Sequence, residues 1–243
     1  MSKPTAIELP GVPPMPILYE DRSVLAINKP RGWMLVPHSW QKTRWNLQAA
    51  IVSSISAGDF WARSRGLKFL KFVHRLDAET TGILLFAKSL GAVESYSQLF
   101  ESRRMEKVYL AVVHGLPPQD AWICRLKLGP VPGQIGRMQV DKREGKEAET
   151  SFRVLQRLKR PQRTLIEAHP LTGRTHQIRV HLQQAGYPCV GDGIYSAMRE
   201  DKFELGLRAV RLAYTDPFTR RRVEIRAPVE NFCREYGFEI PTA

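Results

Sequence analysis

The apolar residues of this chain fall mostly in short runs, separated by Gly, Pro and charged residues. Runs of roughly four to eight residues that are rich in Val, Ile and Leu are typical of β-strands. We predict strands at residues 17–23, 24–30, 69–73, 83–87, 107–113, 150–158, 163–169, 207–215 and 221–227. Residues 119–150 alternate short apolar stretches with Gly- and Lys-rich turns, and this pattern predicts hairpins.

A helical period of apolar residues occurs in three places. It predicts helices over residues 46–55 and 90–101, and a third helix that begins at Thr175 as its N-cap and ends before Gly186. The strands outnumber the helices and follow one another in runs. This order predicts an α+β fold, with a mixed, mostly antiparallel β-sheet and flanking helices.

The chain divides into two parts by composition. Residues 1–16 are Pro-rich and are predicted to form an irregular, flexible arm. Residues 17–243 contain no internal repeat and no linker, so we expect a single domain there. Within that domain, residues 56–68 are predicted to be a loop in which basic and aromatic residues are interleaved.

The charge of the chain indicates its partner. There are 37 Lys and Arg against 24 Asp and Glu, a formal net charge of +13. Such a surplus favours a polyanion, nucleic acid before an anionic membrane surface. No apolar run approaches the roughly 18 residues of a membrane span, and the N-terminus lacks a signal-peptide core. The 3 cysteines fit no metal-ligand spacing and are expected to be reduced core thiols. We therefore expect a cytoplasmic protein without membrane attachment.

The strongest chemical signal is His74-Arg75-Leu76-Asp77, which lies between the predicted strands 69–73 and 83–87. A polar loop between two buried strands is a common place for catalytic residues, because the scaffold is rigid and the loop is accessible. In an extended segment Arg75 and Asp77 point to the same side. Taken alone, however, such a pair is most often a solvated ion pair at a turn.

This stretch and several others, in order along the chain, resemble the RluA-type family of RNA pseudouridine synthases. The matching blocks are residues 18–21, 24–32, 74–77, 81–82, 107–111, 145–150, 172–181, 191–192 and 227–228. The resemblance covers roughly residues 17–230. It implies the α+β fold of that family, with a catalytic cleft across the sheet. It also implies isomerisation of specific uridines in structured ribosomal or transfer RNA, without a cofactor or a metal.

The resemblance also assigns three catalytic roles. Asp77 matches the catalytic aspartate, Arg179 the basic residue that pairs with it, and Tyr109 the tyrosine that stacks on the target base and moves a proton. A carboxylate is a known type of covalent nucleophile, and a nearby cation keeps it ionised. Without the resemblance, Tyr109 would be interpreted as a core aromatic residue of a strand.

The RNA contacts are predicted in the same way. Arg75 matches the arginine that fills the gap left by a flipped nucleotide. Arg174 is a candidate phosphate contact, and His74, Arg103 and Arg104 complete the predicted set. The basic runs at 60–71, 159–163 and 220–222 are also expected to follow phosphates, so RNA binding should be sensitive to salt.

Other features limit the interpretation. His176 and His181 are five residues apart, unlike the i, i+4 pair that binds zinc, and are expected to pack or to form hydrogen bonds. Arg208 stands where relatives often have histidine or leucine, which bears on the base pocket. We also expect a monomer, and no separate N-terminal RNA-binding module.

Two functional alternatives remain open. One is a non-catalytic RNA-binding protein with the same fold, which would bind RNA and leave uridine unmodified. The other is a hydrolase that acts on the ribosyl bond of free nucleosides, for which a charge of +13 has no evident use. The combination of Asp77, Tyr109 and Arg179 argues for the synthase.

Overall fold

The structure is a computed structural model that describes residues 2–35, 45–197 and 203–241. Its strands are β1 (Ala6–Ile7), β2 (Met15–Glu20), β3 (Val24–Lys29), β4 (Lys71–Phe72), β5 (Thr81–Ala87), β6 (Glu106–His114), β7 (Ala121–Pro130), β8 (Met138–Val140), β9 (Lys146–Lys159), β10 (Gln162–Pro170), β11 (Leu207–Thr215) and β12 (Arg222–Arg226). Its helices are α1 (Leu47–Ala57), α2 (Phe60–Arg63), α3 (Leu90–Glu101), α4 (Gln177–Gln184) and α5 (Glu230–Tyr236).

Internal contacts divide the chain into two compact units. The first unit comprises residues 1–105 and 212–227, and the second comprises residues 106–211 and 228–243. The single domain expected over 17–243 stays a prediction, because this division describes compactness and not function. Among the described residues, no helix has both the length and the apolar character that a membrane crossing requires.

The sheet of the first unit is antiparallel, with β1, β2, β3 and β5 side by side and β4 also paired with β5. Residues 24–27 of β3 and 83–87 of β5 are at most 1% exposed. Such unbroken apolar runs are typical of strands that are covered on both faces. The register pairs Lys29 with Gly82 at one end of these two strands and Val24 with Ala87 at the other.

The N-terminal arm differs from its prediction. Strand β1 pairs with β2, Ile7 and Met15 are buried, and the Ile17 N–H donates to the Thr5 carbonyl at 2.8 Å. The expectation of an irregular arm is therefore wrong for residues 6–7. The prolines were a poor guide because the apolar side chains between them bury surface, which favours order.

The helices of the first unit largely follow the sequence pattern. Helix α1 begins after Asn46, whose side chain accepts from the Ala49 N–H at 3.1 Å, and α3 begins after Ser89 in the same way. Both helices were predicted from the period of their apolar residues and are confirmed. The loop predicted over 56–68 is wrong at α2, where Trp61 is buried and its indole N–H donates to Ser54 Oγ at 2.8 Å.

The second unit contains a second antiparallel set of strands, in the order β6-β10-β9-β7-β8. The hairpins predicted over 119–150 are present as β7, β8 and the start of β9. Ile178 and Leu182 of α4 pack into a core with Phe152 of β9. Helix α5 was not predicted, because only its buried face, with Phe232 and Tyr236, is apolar. The predicted α+β class with mostly antiparallel pairing is confirmed.

Candidate active site

The structure distributes the predicted site residues over the two units. The first unit contains His74, Arg75, Asp77, Arg103 and Arg104, and the second contains Tyr109, Arg174 and Arg179.

Asp77 lies on the loop between β4 and β5, as the sequence predicts. Its side chain is half-buried, and its carbonyl accepts from the Thr80 N–H at 3.1 Å. Leu76 is buried beside it with 7% of its surface exposed, while Arg75 is exposed. The buried leucine anchors the loop and leaves the neighbouring carboxylate partly accessible, which is the arrangement that a nucleophile needs.

The buried Lys29 supports this loop through hydrogen bonds, and the sequence analysis assigned it no role. It is fully buried at the end of β3. Its Nζ donates to the carbonyls of Pro30, Ala78 and Thr80 at 3.0, 2.8 and 3.0 Å. Two of these carbonyls belong to the residues that follow Asp77 toward β5. The conformation of the loop therefore depends on an internal cation.

The charge on Lys29 is finely balanced. Burial lowers the pKa of Lys29 to about 7, while the nearby carboxylates of Glu79 and Asp77 act in the opposite direction. Three carbonyl acceptors need three N–H donors, which only the ammonium form supplies. The only sequence signal for this role was a lysine at the end of an apolar strand, directly before Pro30.

His74 is built into the first unit by two contacts. Its Nε2 accepts from the Leu85 N–H at 3.1 Å, and its ring stacks on Phe100 with 4.6 Å between centroids. These contacts join the loop to β5 and to α3. His74 therefore has a structural role, and its contact with RNA stays a prediction.

Arg103 and Arg104 follow the end of α3, and both are exposed. Arg103 has a left-handed backbone with φ of 59°, and Arg104 Nε donates to Ser102 Oγ at 3.0 Å. A left-handed conformation is unfavourable for a non-glycine residue by roughly 1 kcal/mol. Their assignment as RNA contacts stays a prediction.

In the second unit, Tyr109 lies in the middle of β6, opposite Ala168 of β10. It is half-buried and packs against the core that includes Phe152 and Ile178. The core interpretation of Tyr109 therefore describes part of its environment. Its partial exposure leaves surface for a base, and its catalytic role stays a prediction.

Arg179 projects from α4 into a buried ion pair. Its Nε donates to Asp192 Oδ2 at 2.8 Å, and its Nη2 donates to Asp192 Oδ1 at 2.7 Å. The two side chains are only 4% and 0% exposed. Such a two-point pair fixes both the position and the plane of the guanidinium. Asp192 belongs to a block that supported the resemblance, but sequence reasoning assigned it no role.

The acceptor of this pair is itself fixed by its loop. Asp192 Oδ1 also accepts from the N–H groups of Ile194 and Tyr195 at 2.9 and 3.0 Å. Burial alone would raise the pKa of Asp192, but Arg179 and these N–H groups outweigh burial and lower it. The Tyr195 ring lies 5.1 Å from the Arg179 guanidinium carbon. Arg179 is therefore oriented by a charge and an aromatic face.

The start of α4 differs from the prediction. The residue before the helix is His176, in a left-handed conformation with φ of 54°, and not Thr175. His176 Nδ1 is 2.8 Å from the Tyr195 hydroxyl, which also accepts from the Met138 N–H at 2.9 Å. The predicted structural role of His176 is confirmed. Gly186 follows the helix with φ of 88°, as expected for its position.

A buried polar network replaces the expected cap. Gln177 Oε1 accepts from Thr172 Oγ1 at 2.7 Å and from the Arg174 N–H at 3.0 Å. Arg174 Nε donates to the Glu147 carbonyl at 3.0 Å. The turn that carries Arg174 is thereby fixed, and its phosphate contact stays a prediction. Buried His181 contacts Thr150 Oγ1 through Nδ1 at 3.0 Å, as expected for a structural histidine.

Arg208 also has an internal partner. It is 9% exposed, and its Nε donates to the Pro228 carbonyl at 2.9 Å. Burial lowers the pKa of Arg208 from its usual value. Within the second unit, then, Arg208 ties β11 to the segment before α5.

Comparisons with known proteins point in one direction. The family model described as RNA pseudouridylate synthase matches residues 23–184. The chain is 34% identical over 221 residues to the ribosomal large subunit pseudouridine synthase C of Vibrio vulnificus, covering 88% of this chain and 65% of that protein. It is 34% identical over 236 residues to the uncharacterized RNA pseudouridine synthase YlyB of Bacillus subtilis, covering 93% and 73%.

Solved structures agree with these sequence matches. Human RNA pseudouridylate synthase domain containing 1 superposes with a TM-score of 0.69 at 28% identity, covering 89% of this chain and 84% of that chain. Human RNA pseudouridylate synthase domain containing 4 has a TM-score of 0.72 at 22% identity, covering 93% and 94%, and supports the fold alone. The chain thus spans most of both human structures, but slightly less than two thirds (65%) of the Vibrio relative.

Proposed function

The chain belongs to the RNA pseudouridylate synthase family, and from this premise we propose that it isomerises uridine to pseudouridine in RNA. The observation that carries the proposal is Asp77, a half-buried carboxylate on a loop fixed by Leu76 and Lys29. Asp77, Tyr109 and Arg179 all fall inside the matched residues 23–184.

Ribosomal RNA is the substrate that we propose first. Relatives in Vibrio vulnificus and Salmonella typhimurium are named ribosomal large subunit pseudouridine synthases. The net charge of +13 suits a large structured RNA. Transfer RNA, the other class that the resemblance implies, is distinguished by the mapping experiment described below.

The proposed reaction uses Asp77 as a covalent nucleophile. Its carboxylate attacks C1′ of the ribose, and the C1′–N1 bond breaks with its electron pair leaving on N1 of the uracil. After the uracil rotates, C5 attacks C1′ and the carboxylate departs with its electron pair. Loss of the proton from C5 and protonation of N1 complete an isomerisation, so neither an oxidant nor a co-substrate is consumed.

Other residues support this reaction in the roles that the family suggests. We assign Tyr109 to stacking on the base and to proton transfer, and Arg179 to electrostatic support of the carboxylate. The exposed Arg75 is assigned to the gap that the flipped nucleotide leaves in the RNA. The rigid hold of Asp192 on Arg179 fits such a role, because a fixed cation needs no reorganisation during the reaction.

We further infer a monomer that works in the cytoplasm. The support is the absence of an evident pairing element in the sequence, together with three cysteines that are free thiols. Size-exclusion chromatography with light scattering tests the first inference, and fractionation of the source cells tests the second.

Pseudouridine mapping of total RNA tests the proposed function. Carbodiimide adducts would be located by reverse-transcription stops in cells that lack the protein, cells that carry it, and cells that carry Asp77→Asn. We expect at least one stop in ribosomal RNA that is present only with the unaltered protein. With purified protein, Asp77→Asn should lower turnover by roughly 10⁴-fold or more, the scale seen when a nucleophile is removed. Asp59→Asn, on the α2 side of the same unit, is the matched control and should retain activity.

The same experiment separates the two alternatives. A non-catalytic RNA-binding protein would bind RNA, and the pattern of stops would not differ between the strains. A nucleoside hydrolase would release free uracil, which chromatography detects, and would not form pseudouridine in RNA. Stops that persist with Asp77→Asn would remove Asp77 from the role of nucleophile.

A further inference from the structure

An open groove of about 680 Å³ lies in the first unit. It is far from the loop at residues 73–80 that carries the proposed nucleophile Asp77, which we call the nucleophile loop. The register of β3 and β5 fixes this separation. Asp77 leads into Thr81 at one end of β5, whereas Lys88 and the turn at Arg22 lie beyond the Val24–Ala87 pair at the other end. At about 3.3 Å per residue, strand β5 separates the two places by roughly 20 Å.

Cations dominate the lining of this groove. We define the basic groove by its five cationic side chains, which are Lys3, Arg22, Arg65, Lys68 and Lys88. Two carboxylates, Glu20 and Asp21, also line it. The surplus of positive charge is therefore local, in addition to that of the whole chain.

The two carboxylates are already occupied by groups of the fold. Glu20 accepts from Arg65 Nε at 2.9 Å and from Lys88 Nζ at 2.8 Å. Burial alone would raise the pKa of Glu20, but these two cations outweigh burial and lower it. The Asp21 carboxylate accepts from the Tyr19 hydroxyl at 2.9 Å and from the N–H groups of Ser23 and Val24 at 2.7 and 2.8 Å.

Three cations of the groove are left for an external partner. Lys3, Arg22 and Lys68 are exposed, and none forms an ion pair with any residue in the described ranges. Like charges around one groove repel one another and create a positive potential that attracts an anion. An anion bound there would meet three cations without displacing an internal ion pair.

The backbone that carries these cations is held in place. The Arg65 guanidinium donates to the carbonyls of Pro4 and Trp61, and β1 pairs with β2 just after Lys3. Lys68 lies between Arg65 and β4, and Arg22 lies in the turn that joins β2 to β3. Because these segments are ordered, binding to the groove requires ordering of side chains but not of chain segments.

We propose that the basic groove binds the phosphodiester backbone of the substrate RNA, away from the target nucleotide. The identity of the RNA rests on the proposed function. A nucleic acid with about 3.4 Å between successive phosphates along its axis covers 20 Å in roughly six nucleotides. One structured RNA can therefore occupy the nucleophile loop and the groove together. The groove contributes affinity and not chemistry, so its loss raises KM and leaves kcat unchanged.

Charge removal in the full chain tests the groove. The groove variant is Lys3→Gln/Arg22→Gln/Lys68→Gln. The control variant, Arg125→Gln/Arg153→Gln/Arg226→Gln, removes the same charge from exposed arginines that are paired with carboxylates. Fluorescence anisotropy with a fluorescein-labelled 30-nucleotide RNA stem-loop, from 50 to 300 mM KCl, gives Kd and its salt dependence.

The groove and control variants are expected to differ in how far they weaken RNA binding and in how far they change its dependence on salt. The groove variant should weaken binding by at least tenfold at 100 mM KCl. It should also reduce the slope of log K against log salt by about 2 to 3, at about 0.7 to 0.9 for each of three lost phosphate contacts. The control variant should change Kd by less than threefold. Arg22→Lys/Lys68→Arg keeps the charge and should bind as the unaltered chain does. Thermal melting checks that all variants are folded.

Three results would overturn the proposal. Equal weakening by the groove and control variants would reduce the effect to net charge. Unchanged RNA binding with lost binding of polyglutamate would assign the groove to an acidic polypeptide. If the folded groove variant binds both RNA and polyglutamate as the unaltered chain does, the groove binds neither of them.

The proposed function is tested separately by pseudouridine formation. If the chain binds RNA through the groove but forms no pseudouridine in total RNA, the proposed function is wrong and the proposal that the groove binds RNA is supported. If pseudouridine forms and the groove variant leaves KM unchanged, the groove fails and the proposed function stands.

Discussion

At the residue scale, the loop that carries Asp77 depends on one buried cation. Lys29 has no exposed surface, and it supplies an N–H to each of three carbonyls around the loop. Burying an ammonium group is unfavourable, and the carbonyl acceptors and nearby carboxylates offset that cost. The loop that carries Asp77 is thus coupled to the protonation of a lysine that substrate need not touch.

We predict that Lys29→Met lowers the free energy of unfolding by about 3 kcal/mol at pH 7, because it takes an N–H donor away from three carbonyls, of which that of Thr80 is buried. The Ala78 carbonyl keeps a second donor, the Gly32 N–H at 2.9 Å. The folded pKa of about 7 lies below the unfolded value of 10.5, so the unfolded chain binds more protons between these values. The wild-type chain should therefore gain stability relative to Lys29→Met as pH rises from 7 toward 10.5, with no such trend below pH 7. Urea denaturation from pH 6 to 9.5 measures both effects.

The control for Lys29 is the exposed Lys71 on β4. Lys71→Met should change the free energy of unfolding by less than about 0.5 kcal/mol at every pH, as surface substitutions usually do. A difference between wild type and Lys29→Met that shrinks as pH rises above 7 would contradict the assigned protonation.

Asp192 gives the second prediction at this scale. Asp192→Asn keeps the shape of the side chain but removes the charge that pairs with the buried guanidinium of Arg179 at two points. We expect it to lower the free energy of unfolding by about 3 to 5 kcal/mol. Because the folded pKa of Asp192 lies below the ordinary 3.8, the wild-type advantage should be complete above about pH 4 and lost as pH falls further.

Thermal and urea unfolding at pH 7 and at pH 3 measure the effect of Asp192→Asn. Asp120→Asn is the matched control, because the Asp120 side chain is 86% exposed while its partner is also an arginine. This exposed pair should contribute less than about 1 kcal/mol. If both variants lost the same free energy of unfolding, burial of the Arg179 pair would not increase its contribution to stability.

These two residues also mark a limit of sequence reasoning. Alternation along β3 gives no reason to bury Lys29, since lysine is almost never fully buried unless it is paired. Asp192 stood in a recognised block, but its partner is 13 positions away on a helix and no local rule connects them. Asp77 could be identified because the motif that contains it, residues 74–77, is local in sequence and matches that of a known family, although Lys29, which supports its loop, is distant in sequence.

At the element scale, the connection after α4 carries Asp192 and depends on Gly191. Gly191 has φ of 70°, and a Cβ added there would lie 2.0 Å from the carbonyl oxygen of Glu204. Both backbone conformation and space therefore require glycine. Gly186, at the end of α4, has φ of 88°, but a Cβ added there would meet open space.

We predict that Gly191→Ala destabilises the chain by about 3 kcal/mol or more, and Gly186→Ala by about 1 to 2 kcal/mol. The smaller value is the unfavourable conformation alone, and the difference is the steric clash with Glu204. Gly193→Ala, with ordinary φ and open space, should change stability by less than about 0.5 kcal/mol. Urea denaturation of the three variants gives the comparison, and equal losses at 191 and 186 would contradict the clash.

Element prediction succeeded where burial follows a single period. Helices α1 and α3 begin at polar residues that cap them, and β5 is an unbroken apolar run. The prediction of elements failed where contacts between residues that are distant in sequence determine where an element begins. Helix α4 begins at a left-handed histidine that the Tyr195 hydroxyl holds, and a pattern of apolar residues contains no trace of that contact.

At the scale of the whole molecule, chain order and compactness do not coincide. The first unit takes its last 16 residues, 212–227, from between the two segments of the second unit in sequence. The fold class followed from the order of strands and helices along the chain, and the family resemblance implied the same class.

This interleaving makes a prediction about fragments of the first unit. Tyr96 of α3 has no exposed surface, its hydroxyl donates to Asp216, and its ring meets that of Tyr214 edge to face at 5.6 Å. A fragment of residues 1–105 exposes Tyr96 and should lose about 3 to 5 kcal/mol from that side chain alone. We therefore expect it to unfold without cooperativity.

A peptide of residues 212–227, added in trans, should restore cooperative unfolding of that fragment. Near-ultraviolet circular dichroism follows the tyrosine environment, and urea denaturation follows cooperativity. The same peptide with Tyr214→Ala and Asp216→Ala lacks both partners of Tyr96 and should not restore it. Since stability gained by binding grows with peptide concentration above Kd, the restored transition should move to higher urea as peptide is added. A fragment of 1–105 that unfolds cooperatively alone, at the same urea concentration with or without peptide, would mean that residues 212–227 add nothing to the first unit.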